Sequence, residues 1–195
     1  MANEAAAEAE ASPAPDASDA PEGTEGTEGT DDKKPTKEVA AEDLTTKLTA
    51  KKINKMGTVV VDQDGFTLYR FEKDTTDPAA SNCVQKCEQV WPPAYTEDGE
   101  PELVGVADEK VGVITRADGT KQLTLGDWPL YRYIGDTKPA AWKGQGVGGT
   151  WYVIQPDGKR NLSCLPTNTP TPVAPPAETK KESSTESSGG SSYSY

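Results

Sequence analysis

The sequence predicts an all-β body: antiparallel hairpins and a meander built from two tandem repeats, with one short helix near a Cys pair and disordered termini. Three observations carry this. First, β-branched and aromatic runs are punctuated by Asp-Gly turns at 64–65, 98–99, 118–119 and 157–158. Second, Leu68-Tyr69-Arg70-Phe71-Glu72-Lys73-Asp74 returns 62 positions later as Leu130-Tyr131-Arg132-Tyr133-Ile134-Gly135-Asp136, and Trp91 and Asp98-Gly99 recur as Trp151 and Asp157-Gly158. Third, all four Trp and both Phe fall in residues 51–165, so the core belongs to that stretch.

The elements follow in order. Residues 1–50 read as a disordered acidic arm, too poor in apolar side chains to offset the entropy of ordering. At its end, residues 38–53 carry Val39, Leu44 and Leu48 as a thin helical stripe. The two-repeat body occupies 51–165, the first repeat about 55–100 and the second about 111–160. Met56 to Val61, the Asp64-Gly65 turn and Phe66 to Phe71 predict a hairpin. Strand alternation then puts Tyr69 and Phe71 on one face and Leu68 and Arg70 on the other. Asp74 closes the strand in a turn. Residues 81–91 predict the short helix, N-capped by Ser81 or Asn82 and stopped by Trp91-Pro92-Pro93. Residues 103–106 read as a short strand or an apolar loop.

Residues 111–115 and 121–125, around Asp118-Gly119, predict a second hairpin. Residues 128–133 follow as a strand, 144–149 as a flexible glycine loop, and 150–155 as the last strand. Neither repeat alone holds enough core, so both halves are expected to fold as one unit. Residues 166–195 read as a disordered Pro/Ser/Gly-rich tail.

The net charge of −12 is unevenly distributed. Residues 1–43 carry 13 acidic and 3 basic side chains, residues 44–165 carry 16 and 15, and residues 166–195 carry 3 and 2. A nearly neutral body has no footprint for nucleic acid. The chain has no histidine, which removes the commonest general base and metal ligand. No Ser-His-Asp set exists, no phosphate-binding glycine loop is present, and the Asp62/Asp64 and Asp74/Asp77 pairs do not match calcium-loop spacing. No cofactor is predicted. Haem held through Tyr, or copper held by Met56 and the thiols, are the alternatives.

Cys83 and Cys87 read as a local structural disulfide, with dithiol redox chemistry as the alternative; their spacing differs from Cys-x-x-Cys. Cys164 is the third cysteine, and three single bridges are open.

Tyr69-x-Phe71-x-x-Asp74, Ser81-x-Cys83-x-x-x-Cys87 and Trp91-Pro92-Pro93 resemble the bacterial lipoproteins defined by a Tyr-x-aromatic-x-x-Asp motif, a secreted repeat of unknown function. Tyr131-x-Tyr133-x-x-Asp136 resembles the second repeat, without the Cys pair. The resemblance covers about residues 55–160. It implies an extracytoplasmic protein, secreted or lipid-anchored on the outer face of the bacterial cell membrane, and no established activity. The opening Met-Ala-Asn-Glu-Ala-Ala-Ala-Glu reads as a mature exported chain behind an added start methionine; the lipid-anchor cysteine of such precursors is absent from this sequence.

The expected function is a non-enzymatic cell-envelope module that contacts other envelope proteins or a small ligand. The membrane would be reached only through such an anchor. The alternative is an extracytoplasmic redox or haem-associated electron-transfer protein. The candidate site is Tyr69, Phe71, Asp74, Tyr131, Tyr133 and Asp136. These residues read first as a core strand with an Asp-capped turn, and alternatively as paired phenols and carboxylates that bind a ligand or relay electrons.

Overall fold

The computed structural model describes residues 37–177; the expected disorder of most of the acidic arm and of the extreme tail lies outside them. Eleven strands and one helix follow in order. They are β1 (Lys47–Ile53), β2 (Gly57–Val61), β3 (Tyr69–Phe71), β4 (Thr75–Thr76), β5 (Ala79–Ala80), α1 (Lys86–Val90), β6 (Tyr95–Thr96), β7 (Glu102–Val104), β8 (Val111–Thr115), β9 (Lys121–Leu125), β10 (Trp128–Pro129) and β11 (Trp151–Val153). One sheet runs β2-β1-β7, a second runs β10-β9-β6 with β8 also on β9, and β11-β3 and β4-β5 form two-stranded ladders. Pairing is antiparallel except between β1 and β7.

The two repeats are interlocked. In the first half, Val60 N–H bonds Ile154 C=O, Ile154 N–H bonds Leu68 C=O, and Leu68 N–H bonds Val60 C=O. In the second half, Leu123 N–H bonds Ala94 C=O, Ala94 N–H bonds Leu130 C=O, and Leu130 N–H bonds Leu123 C=O. Each ring of three is thus closed by the end segment of the other repeat: Ile154 serves the first half and Ala94 the second. Where the halves meet, Tyr69 and Tyr131 exchange both backbone hydrogen bonds, at 2.9 and 3.0 Å. Neither half can satisfy its own backbone, which is the physical basis for one folding unit.

Alternation divides the side chains between two cores. Val59, Val61, Tyr69 and Phe71 enter one, with Trp91, Tyr131, Tyr133, Trp151 and Val153. Val60 and Leu68 enter the other, with Leu48, Leu123, Leu125, Leu130 and Ile154. Arg70 points to the second face as expected and is buried there, its guanidinium 3.4 Å from the Trp128 ring centroid.

Several expectations change. Residues 38–53 form no helix: a 3-10 turn at Ala41–Asp43 leads into β1. Strand alternation sends Leu48 into one core and Ile53, five residues on, into the other. β1 also lies partly ahead of position 51, where the body was expected to start.

The helix near the Cys pair covers only Lys86–Val90: Gln85 has φ 54° and residues 81–84 are not helical. Neither Ser81 nor Asn82 caps it; both bond the motif residues instead. The expected strand at 128–133 forms a ladder only at β10, with Tyr131 making isolated bridges to Tyr69 and Pro93. The hairpin strand at 66–71 stays with β2 through Thr67 and the Leu68 N–H, then joins β11 through Tyr69–Phe71. The glycine loop 144–149 is packed rather than loose: residues 144–147 are buried, and Val147–Gly149 is a 3-10 turn. Residues 103–106 begin inside β7. Past Pro166 the chain crosses the body, where Pro170 C=O accepts from Gly148 N–H and Val173 N–H donates to the Tyr133 phenol.

Candidate functional site

All six motif residues meet at the junction of the repeats. The tyrosines cross over. Tyr69 donates its hydroxyl to Asp136 Oδ2 at 2.6 Å, and Tyr131 donates to Asp74 Oδ2 at 2.7 Å. Each phenol therefore pairs with the carboxylate of the other repeat. The second carboxylate oxygens accept backbone N–H groups, Asp74 Oδ1 from Asn82 and Asp136 Oδ1 from Lys143. The expected Asp-capped turn is present, extended by a cross-repeat tyrosine.

Between the crossed pairs lies a four-ring stack. Phe71 lies on Trp151 with centroids 4.2 Å apart, Trp151 on Trp91 at 3.8 Å and 1°, and Trp91 on Tyr133 at 4.1 Å. Tyr69 meets Trp91 edge-on at 5.4 Å, and Tyr131 meets Trp151 edge-on at 5.1 Å, geometries the ring quadrupole favours. Exchanging Tyr69 for Tyr131, Phe71 for Tyr133, Asp74 for Asp136 and Trp91 for Trp151 reproduces the same contacts, so the centre has approximate two-fold symmetry.

Burial dominates the electrostatics. It raises both carboxylates, Asp74 to about 6, where the Asn82 N–H, the Tyr131 hydroxyl and Arg116 act against it. Asp136 is raised by burial against the Tyr69 hydroxyl and Lys143. Burial, reinforced by the facing carboxylate, raises both phenols, so the protons stay on Tyr69 and Tyr131 at neutral pH.

The surroundings break the symmetry. Beside Tyr131, Ser81 Oγ lies 2.7 Å from the phenol oxygen. The phenol keeps its proton and directs it at Asp74, so the Ser81 hydroxyl donates in this pair. Arg116 donates to Ser81 Oγ, Gln122 Oε1, Cys83 C=O and Glu88 Oε2, all at 2.6–2.8 Å, and is buried. Gln122, also buried, donates to Leu130 C=O. Cys83 and Cys87 form the disulfide that closes this loop, which resolves the three bridge patterns open in the sequence. Cys164 is a free, exposed thiol whose Sγ lies 3.4 Å from Lys55 C=O.

Beside Tyr69 the backbone does the equivalent work: Gly144 N–H donates to the phenol at 3.2 Å. A Cβ on Gly144 would sit 2.7 Å from the Tyr69 ring and 2.9 Å from Trp91, so this approach requires glycine. The loop is fixed by Gln145, which donates to Asn161 and Ser163 C=O and accepts Val153 N–H.

Arg116, Gln122, Gln145 and Asn161 were not legible as site residues. Arg116 reads only as the residue before an Asp-Gly turn, and Ser81 as a helix cap.

A cleft of about 520 Å³ opens beside the second motif copy, lined by Phe66, Pro92, Pro93, Tyr95, Tyr133 and Arg132. Lys37, Asp43, Glu88 and Asp136 add charge to its walls. Arg132 lies over the Phe66 ring, 4.3 Å from its centroid, and pairs with Asp62 at 3.1 Å. Tyr133 belongs to both structures, packed in the ring stack and lining the cleft. Tyr69 and Tyr131 are buried and committed to carboxylates. Among the described residues no group of three or more His, Cys, Asp or Glu side chains could hold a metal, and no helix is long and apolar enough to cross a membrane.

Residues 51–95 and 112–155 each match a family described as a secreted repeat of unknown function. The two matches coincide with the interlocked halves and end at β6 and just after β11. No curated protein and no solved structure matches the chain.

Proposed function

The chain carries two copies of the secreted repeat of unknown function, and from that premise we propose that it is a non-enzymatic, extracytoplasmic binding module of the cell envelope. The observation that carries this reading is the cleft of about 520 Å³ set against a pre-formed aromatic centre. Ligand sites are concave, largely pre-formed and lined by aromatic residues with a few placed polar groups. Here Tyr133, Phe66 and Tyr95 supply the apolar walls, and Arg132 and Lys37 supply cations. The occupant is an envelope protein segment or a small ligand. Absence of catalysis is part of the proposal: the motif hydroxyls and carboxylates are engaged with one another, and the chain has no histidine. Lipid anchoring of the precursor, with the acidic arm as a solvated spacer, is also part of it and rests on the resemblance to lipoproteins.

The test is photocrosslinking from a benzoyl-phenylalanine placed at Gln89, on the cleft wall, in native envelopes. Defined adducts that disappear on Arg132→Glu in a folded protein are expected. Adducts indifferent to Arg132→Glu, or no adducts at all, would sink the reading.

A further inference from the structure

The aromatic stack carries more than a packing role requires. Trp91 and Trp151 are parallel within 1° at 3.8 Å, the arrangement in which two indoles share a positive charge by π overlap. The stack continues through Tyr133 at 4.1 Å and ends where that residue lines the cleft. Each indole is met by the edge of a buried tyrosine, and each tyrosine already holds a hydrogen bond of 2.6 or 2.7 Å to a carboxylate. A phenol loses an electron readily only when its proton has somewhere to go. Both phenols have such a base in place.

We propose that the junction is a one-electron relay, in which a high-potential one-electron acceptor at the cleft oxidises the Tyr133–Trp91–Trp151 stack and Tyr131 or Tyr69 refills it. The balance is simple. The acceptor gains one electron and is reduced by one. The indole pair passes through a radical cation and is restored by an electron from the phenol. The Tyr131 O–H bond breaks, its proton moves to Asp74 Oδ2, and a neutral tyrosyl radical remains beside a protonated carboxyl; Tyr69 and Asp136 do the same on the other side. No net charge is left in the buried centre beyond that removed by the acceptor. With its pKa raised to about 6, Asp74 is ionised at neutral pH and therefore able to take the proton. This function goes beyond ligand binding. It does not need the natural occupant of the cleft, because a small diffusing oxidant can replace it.

The test is flash-quench oxidation of the full chain with tris(bipyridine)ruthenium and a sacrificial cobalt(III) quencher, followed by transient absorption and electron paramagnetic resonance. An indolyl cation signal giving way to a tyrosyl signal is expected. Formation of that tyrosyl slows in deuterium oxide and slows again as pH falls through about 6, where Asp74 is protonated. In Tyr69→Phe/Tyr131→Phe the tyrosyl signal is lost and the indolyl signal lives longer. A tyrosyl signal that survives both substitutions, or an indolyl cation in the native chain that decays without giving tyrosyl, overturns the relay. Should the double variant fail to fold, the isotope and pH dependence of the native chain decide: their absence also overturns it. Crosslinking at the cleft is a separate measurement, so failure of the binding reading and failure of the relay are distinguishable.

Discussion

Asp74 and Asp136 occupy equivalent places, each bonded to a tyrosine of the other repeat and to one backbone N–H. Their surroundings are built from different materials. On the Asp74 side, the segment leading into the Cys83–Cys87 disulfide delivers Ser81, and a buried arginine ties that segment to β9 through Gln122. On the Asp136 side, a glycine-rich loop brings its own backbone against Tyr69, and Gln145 fixes it. The geometry of the pair is retained, while its support comes from side chains in one half and main chain in the other. What the fold requires is the crossed phenol–carboxylate contact; how the loop behind it is held is free to diverge.

The largest expected effect tests whether the centre is shared by both halves. Trp91 and Trp151 are both nearly fully buried and stacked on each other. Truncation of a buried Trp to Ala costs about 3–5 kcal/mol. Trp91→Ala and Trp151→Ala are therefore expected to lower urea stability by similar amounts, each in a single transition. A variant that melts one repeat and spares the other, seen as two transitions, would refute the interlocked unit.

Next in size is the pH dependence. The folded protein holds the Asp74 proton more tightly than the unfolded chain does, with a folded pKa of about 6 against an ordinary 3.8. Between these values the native state binds more protons, so stability falls as pH rises across the window and levels off above it. The full loss from this group is on the order of 3 kcal/mol. Asp136 and Asp62 shift in the same direction and add to the slope. Urea denaturation at pH 4, 5, 6 and 7 reads it. Asp74→Asn is expected to flatten the profile; an unchanged slope would show that the buried Asp74 does not carry the proton uptake assigned to its half of the centre.

The alternation of Leu68 against Tyr69 and Phe71 was legible because period two is a local property of a strand. So was the β8–β9 hairpin, which needed only nearby residues; Cys83–Cys87 was the favoured reading, but the structure, not the sequence, selects it from the three open bridges. The identity of each tyrosine's partner was not legible. Tyr69 and Asp136 are 67 positions apart, and nothing local says whether a motif closes on itself or on its copy. Arg116 was missed for the same reason: its four acceptors come from residues 81, 83, 88 and 122, three of them in another repeat. The helix expected at 38–53 failed because three aliphatic residues are too few to fix a period, and β7 offered an edge to pair with.

The disulfide and Gly144 are counterparts, and each should act on its own half. Removing the bridge with Cys83→Ala/Cys87→Ala is expected to cost about 2 kcal/mol, as suits a short closed loop. Amide exchange should quicken at Asn82, which faces Asp74, and not at Lys143 or Gly144. Gly144→Ala drives a methyl against Tyr69 and Trp91 and is expected to cost about 1–3 kcal/mol. There the exchange at Lys143 should quicken and that at Asn82 should not. Equal changes in both halves from either variant would mean that the supports are coupled through the ring stack.

The smallest effect concerns two arginines that are also equivalent. Arg70 lies 3.4 Å from the Trp128 ring centroid and Arg132 lies 4.3 Å from that of Phe66, so each repeat covers an aromatic ring with the guanidinium of its motif. Lysine keeps the charge but not the planar stack. The Arg70 side chain is 9% exposed, donates to Gly158 C=O and pairs with Glu72, whereas Arg132 is 27% exposed on the cleft rim. A desolvated cation–π contact is worth more than a wet one, about 2 kcal/mol against about 0.5–1 kcal/mol. Arg70→Lys should therefore destabilise measurably, and Arg132→Lys should fall near the error of urea denaturation. If Arg132→Lys costs as much as Arg70→Lys, the rim of the cleft is built for stability, and the proposal that it is kept open for a ligand loses its electrostatic support.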